Sequence, residues 1–156
     1  MLLKFFSRPG VRAHLRGLAE ELCESTNSVR LELNKLEQVG LLKKEAEGQK
    51  IVYFVDVQNT FHTELVKLVS KYLGFDQMIV DLSSMSSEIE KIYVVGDYAR
   101  GIDGGLIQVV IVGNIHADEI YPKLKTIETR VGRKIELILL KTELNVSNFD
   151  NILQLV

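Results

Sequence analysis

Between residues 26 and 50 the chain sets out hydrogen-bonding and cationic side chains, first at helical and then at strand spacing. They are Thr26, Asn27, Ser28, Arg30, Asn34 and Lys35, followed by Lys43, Lys44, Gln49 and Lys50. Arginine and asparagine can read base edges through paired hydrogen bonds, whereas lysine, serine and threonine suit phosphate oxygens. A second group, Gly96, Asp97, Tyr98, Arg100 and Gly101, forms a glycine-flanked turn whose backbone could approach a ligand closely. Metal and thiol chemistry have little to work with. Cys23 is the only cysteine, and His14, His62 and His116 show no paired ligand spacing, so no structural metal and no cofactor is expected. Cys23 reads as a small buried residue of a turn, and the three histidines as surface or capping residues.

Positioning the first group requires two helices and a hairpin. From Arg12 to Leu22 the apolar residues Leu15, Leu18, Ala19 and Leu22 fall at i, i+3, i+4 and i+7, the stripe of a short helix. After a tight turn, Val29, Leu33 and Leu36 mark the inner face of a second helix, capped by Ser25 or Thr26 and stopped at Gly40. With those three inward, Asn27, Arg30, Leu31, Asn34 and Lys35 point outward, and Thr26 and Ser28 sit at the positive N-terminal end. Leu41–Ala46 and Lys50–Val55 then read as two strands around Glu47-Gly48. Beyond Asn59, a helix is expected to carry Phe61, Leu65, Leu68, Val69 and Tyr72 on one side until Gly74.

The second half changes character. Ile92–Val95 and Leu106–Val112 read as strands, the latter apolar enough to be covered on both faces, with a glycine-rich turn between them. Ile120, Leu124, Ile127 and Val131 outline a helix, Lys134–Leu140 another strand, and Phe149, Ile152, Leu153 and Val156 a terminal helix. The Ser83–Ser87 cluster reads as a loop or frayed helix. Gly101, Gly104 and Gly105 suit positive backbone φ.

Composition bounds these readings. Of 156 residues 46% are hydrophobic and 26% charged, which excludes disordered, collagen-like and membrane-embedded chains. The start, Leu2-Leu3 and Phe5-Phe6 broken by Lys4, is far short of a secretory or membrane-spanning run, so a cytoplasmic location with no membrane partner is expected. The net charge of -2 conceals an asymmetry. Of the 19 basic and 21 acidic residues, 11 and 9 lie at or before Phe75, leaving 8 and 12 after it, which suggests two domains, 1–75 and 76–156.

LAEELCESTNSVRLELNKLEQVGLL, Leu18 to Leu42, resembles the winged helix-turn-helix of small prokaryotic transcription regulators of the ArsR/MarR type. KKEAEGQKIVYF, Lys43 to Phe54, resembles the wing, with Gln49 at its tip. The resemblance covers most of residues 2–75 and implies double-stranded DNA as partner and pairing into a homodimer. Leu31 stands where such helices often carry a second arginine, and Glu32, Glu45 and Glu47 weaken the positive field.

KIYVVGDYARGIDGGLIQVVIVG, Lys91 to Gly113, resembles the opening of the minimal nucleotidyltransferase domain: strand, G-S-x-A-R-G loop, then a strand bearing S-D-x-D. VGRKIELILLKTELN, Val131 to Asn145, resembles the later strand that supplies a third acidic residue, with Glu136 nearest in position. Together these segments cover residues 88–156. In that family two aspartates at i and i+2 hold divalent metal against a nucleoside triphosphate. Here Leu106 and Gln108 occupy those positions, and Asp97 replaces the serine of the loop. Asp97, Asp103 and Glu136 lack the i, i+2 relation.

The expectation is an α+β chain, a winged helix-turn-helix followed by a small α/β nucleotidyltransferase-like domain, acting as a DNA-binding regulator with no catalytic residues. Its second domain would sense or dimerise, with the turn from Gly96 to Gly101 open to a nucleotide effector bound without metal. The rival expectation is an active nucleotidyltransferase, or a toxin-antitoxin component that transfers a nucleotide to a partner protein.

Overall fold

The computed structural model describes residues 1–8 and 10–156 and mixes helices with strands. It divides into two compact units, Met1–Lys67 and Leu68–Val156. The division falls inside a helix, ahead of the expected boundary at Phe75/Asp76.

In the first unit, α1 (Leu2–Phe6) precedes β1 (Arg12–His14), α2 (Leu15–Glu21), α3 (Thr26–Gln38), β2 (Leu42–Glu47) and β3 (Lys50–Val55). The strands form an antiparallel sheet in the order β1-β3-β2. Phe5, Phe6, Leu18, Val29, Leu33, Leu42 and Val52 are almost fully buried and make its core. Lys4 is buried with them because its ammonium reaches Glu21 at 2.7 Å.

The helix expected from Arg12 begins only at Leu15. Arg12, Ala13 and His14 are extended and pair with Phe54, Tyr53 and Val52, because the free edge of β3 offers their backbone groups partners that a helix's first turn lacks. α1 carries no periodicity long enough to be read from sequence, and its phenylalanines are core. His14 and His116 stand at the N-caps of α2 and α6 (Ala117–Val131) without a side-chain capping bond.

Ser25 is the N-cap of α3, its hydroxyl accepting from the Ser28 amide at 3.1 Å. The helix closes in a Schellman motif at Gly40, φ +73°, with Gly40 N–H donating to Glu37 O and Leu41 N–H to Leu36 O, both at 2.9 Å. α2 ends the same way without a glycine. Cys23 takes the left-handed position at φ +53°, its amide donates to Glu20 O at 3.3 Å, and Glu24 N–H donates to Ala19 O at 2.9 Å. Contrary to expectation Cys23 is exposed.

α4 (His62–Leu73) crosses the division. Its expected apolar stripe is not what the fold buries: Val69 and Leu73 are inside, whereas Phe61, Leu68 and Tyr72 are 64, 61 and 60% exposed. The second unit continues with α5 (Phe75–Ser83), β4 (Ile89–Val95), a 3-10 turn Tyr98–Arg100, β5 (Leu106–Gly113), α6, β6 (Lys134–Leu140), a 3-10 segment Glu143–Asn148 and β7 (Ile152–Gln154). α5 takes in the first residue of the serine cluster.

The second sheet runs β6-β5-β4-β7, with β5 parallel to β6 and antiparallel to β4. Its register aligns Val95 with Gln108 and Gln108 with Glu136. One face buries Tyr93, Val95, Val110 and Val112 beneath Val146 and Phe149. The alternate residues Ile92, Val94, Ile107, Val109 and Ile111 are also buried, so β5 is covered on both faces as its composition demands.

The expected terminal helix is instead strand β7, in which Ile152, Leu153 and Gln154 pair with Val95, Val94 and Tyr93. Asn151 at φ +53° breaks any helical continuation, and the exposed edge of β4 supplies hydrogen-bond partners. Of the three loop glycines expected at positive φ, Gly101 and Gly105 adopt it and Gly104 does not.

Candidate functional site

Two surfaces gather the residues singled out by type. On the first unit, Thr26, Asn27, Ser28, Arg30, Leu31 and Lys35 are exposed along α3, and Asn34 is half-buried. Lys43, Lys44, Gln49 and Lys50 are exposed on the hairpin. Gln49 sits at the tip as expected, since the Glu47–Lys50 pair closes a two-residue turn and Gly48 takes φ +61°.

The positive charges are not equally available. Lys35 pairs with Glu32 at 3.0 Å, Lys43 with Asp56 at 2.9 Å and Lys44 with Glu37 at 3.0 Å. The Asp56 carboxyl is held below its ordinary range, chiefly by the hydrogen bond from Lys43. Arg30 and Lys50 make no ion pair among the described residues. One neighbour went unread in the sequence: Arg12 on β1 bonds Glu45 of β2 and lies 5.1 Å over the Phe54 ring of β3. Its only sequence signal was the charge itself, because β1 was expected to be helix.

The second surface surrounds the turn after β4. At Gly96, φ +68°, an added Cβ would lie 2.4 Å from the Gln108 Oε1, so the glycine is what lets the glutamine fold over the turn. The other end of that amide donates to Glu136 Oε2 at 2.8 Å. Thus the parallel register does bring Gln108 and Glu136 together. Leu106, two residues earlier, is 47% exposed and aligned with Lys134.

Asp97 and Asp103 are drawn elsewhere. Asp97 pairs with Arg100 at 3.3 Å. Asp103 is gripped by Arg133, whose Nη2 donates to Oδ2 at 2.6 Å and whose Nε donates to Oδ1 at 3.1 Å and to the Tyr98 hydroxyl at 3.0 Å. Arg133 Nη1 also reaches Tyr72 O at 3.1 Å. The Tyr98 hydroxyl bonds Asp103 and accepts from the Gly105 amide at 3.0 Å. Arg133 holds the Asp103 carboxyl below its ordinary range, Asp103 raises the guanidinium, and burial pushes the Tyr98 phenol up.

Tyr98 therefore does not rim an open surface. It is 1% exposed, its ring edge-on to Phe75 at 6.4 Å, and with buried Gly101 it stitches the turn to the core. Arg133 was absent from the sequence reading because its partners lie 30 and 35 residues earlier in the chain. Among the described residues, no three His, Cys, Asp or Glu side chains gather as a metal site. No helix there is long and apolar enough to cross a membrane.

A mixed α and β chain carrying a helix-turn-helix and hairpin is the class these features define. Comparison with curated proteins adds one partial relative, an uncharacterized HTH-type transcriptional regulator of Methanocaldococcus jannaschii, 43% identical over 44 residues. The match takes in 28% of this chain and 11% of that protein. No family model matches the chain, and no solved structure matches it.

Proposed function

We propose that the chain is a DNA-binding transcription regulator, with a winged helix-turn-helix as its first unit and a catalytically inert, nucleotidyltransferase-like second unit. The observation that carries the reading is the exposed row on α3, with Arg30 in no ion pair among the described residues, beside a hairpin bearing Lys43, Lys44 and Lys50. The partial relative named as an HTH-type regulator supports it. α3 is the helix for a major groove roughly 12 Å wide, with Asn27, Arg30 and Asn34 toward base edges. Thr26, Ser28, Lys35, Lys43, Lys44 and Lys50 face phosphates, with Gln49 leading the wing. Pairing into a homodimer lets two such helices meet successive grooves.

The inert reading of the second unit rests on where its polar groups are committed. Leu106 has no ligand atom, Gln108 is neutral and bonded to Glu136, and Asp103 is neutralised by Arg133. A metal-held triphosphate would need two of these groups in other company. Incubation with labelled ATP and magnesium is expected to give no transfer to the chain or to a lysate. Transfer abolished by Glu136→Gln would overturn this part.

Fluorescence anisotropy on fragments upstream of the chain's own gene, over a salt series, tests the DNA reading. Arg30→Ala is expected to cost about 1–3 kcal/mol on the preferred fragment and little on others. A Lys43/Lys44 double alanine variant weakens all fragments alike and lowers the salt slope by up to about 2. The change is smaller to the extent that Asp56 and Glu37 already neutralise those lysines. Absence of binding to every fragment at low salt refutes the reading.

A further inference from the structure

The helix α4 leaves apolar residues outside that its pattern would put inside. Phe61, Leu65, Leu68 and Tyr72 fall at i, i+4, i+7 and i+11, the spacing of a seam that packs against a second helix. Phe61, Leu68 and Tyr72 keep 64, 61 and 60% of their surface exposed, and Leu65 is half-buried. Helical rise spreads the row over roughly 16 Å. Apolar residues exposed singly are ordinary, whereas a contiguous row of them marks a contact surface.

The row is anchored at both ends. Asn59 Oδ1 accepts from Phe61 N–H at 2.9 Å, and Phe61 O accepts from Leu65 N–H at 2.9 Å. At the other end the Arg133 guanidinium lies 5.2 Å from the centre of the Tyr72 ring, which still keeps most of its surface in solvent.

The flanks of the row decide its occupant. On one side lie Val69 and Leu73, which the fold already covers. On the other lie Glu64 in the first turn and Lys71 in the last, at i and i+7. Both are exposed, and neither makes an ion pair among the described residues. A two-fold axis perpendicular to α4 sets a second copy antiparallel, each flank against the same flank of the copy. Glu64 then meets the partner's Lys71, and Lys71 the partner's Glu64. A parallel copy would instead lay the charged flank against the covered one. The face is therefore complementary to itself, in apolar spacing and in charge, in the antiparallel sense.

We infer that two copies of the chain pair through this face of α4, antiparallel, with Leu65 on the partner's Leu68 and Phe61 on the partner's Tyr72. The inference deepens the homodimer of the proposed function and rests on that part of it; it needs no DNA.

Sedimentation equilibrium of the full chain without DNA, from about 1 to about 200 μM, is expected to show a dimer. Leu68→Glu, an exposed change checked as folded by circular dichroism, is expected to weaken pairing at least about a hundredfold. Glu64→Lys and Lys71→Glu each bring like charges together twice in the dimer and are expected to weaken it about tenfold. The double variant Glu64→Lys/Lys71→Glu is expected to return to within about threefold of the wild type. Rescue separates pairing from a role inside one copy, because these charges also suit the ends of their own helix and the double change makes that worse. A monomer throughout the range overturns the inference, as does a dimer indifferent to Leu68→Glu or a double variant as weak as the single ones. A dimer that binds no DNA fragment leaves the inference standing and refutes the regulator reading; a monomer that binds one does the reverse.

Discussion

Replacing Arg133 by methionine removes a guanidinium from Asp103, the Tyr98 hydroxyl and Tyr72 O at once. Breaking a fully buried ion pair costs about 3–5 kcal/mol because the remaining charge is left uncompensated. Here the arginine side chain is 14% and the aspartate 24% exposed, so water recovers part of the loss and the expected cost is about 2–3 kcal/mol. For a unit the size of Leu68–Val156 this corresponds to a fall in Tm of about 10–15 °C. Urea and thermal unfolding of Arg133→Met, Asp103→Asn and the double variant measure it, with an expected coupling of about 1–2 kcal/mol. The pH dependence has a fixed sign. A carboxyl held below its unfolded value of about 3.9 contributes stability above that pH and loses it as pH falls through the folded value. Below about pH 4 the wild type should therefore lose stability more steeply than Asp103→Asn. A cost under about 1 kcal/mol, or coupling near zero, refutes the role given to this pair.

Other expectations follow from local geometry. Cys23→Gly relieves a left-handed residue and should stabilise the first unit by about 0.5–1 kcal/mol after the entropy glycine adds to the unfolded chain, as read by urea midpoint. Gly96→Ala should cost about 1–3 kcal/mol in thermal unfolding, part of it recovered when Gln108→Ala clears the position its Oε1 occupies. Ser25→Ala removes the cap of α3 and should cost about 1 kcal/mol, measured by urea unfolding, with Ser25→Asp nearly neutral.

Long elements with sustained patterns were legible: α3 with its serine cap and terminal glycine, the hairpin around Gly48, and β5 with its unbroken apolar run. Short elements were decided by neighbours. Arg12–His14 and Ile152–Gln154 each became strand because an existing strand had an unpaired edge, information that three residues cannot carry. α4 misled for a different reason: its apolar residues outnumber those the fold can bury, so periodicity alone pointed to Phe61, Leu68 and Tyr72 rather than Leu73. At the site, residue type identified Gln108 and Glu136, and the register joined them. Arg133 and Asp103 are 30 residues apart, and nothing local announces that they meet.

The corner between α2 and α3 offers an experimental convenience. Cys23 is the sole thiol, it is exposed, and it sits where the chain turns rather than in the core. A maleimide dye or nitroxide will therefore attach at one place in the native sequence, a few residues before Asn27 and Arg30, with no engineered cysteine. On a labelled duplex the dye becomes a ruler from protein to DNA, and a nitroxide on each of two copies would yield a single inter-copy distance.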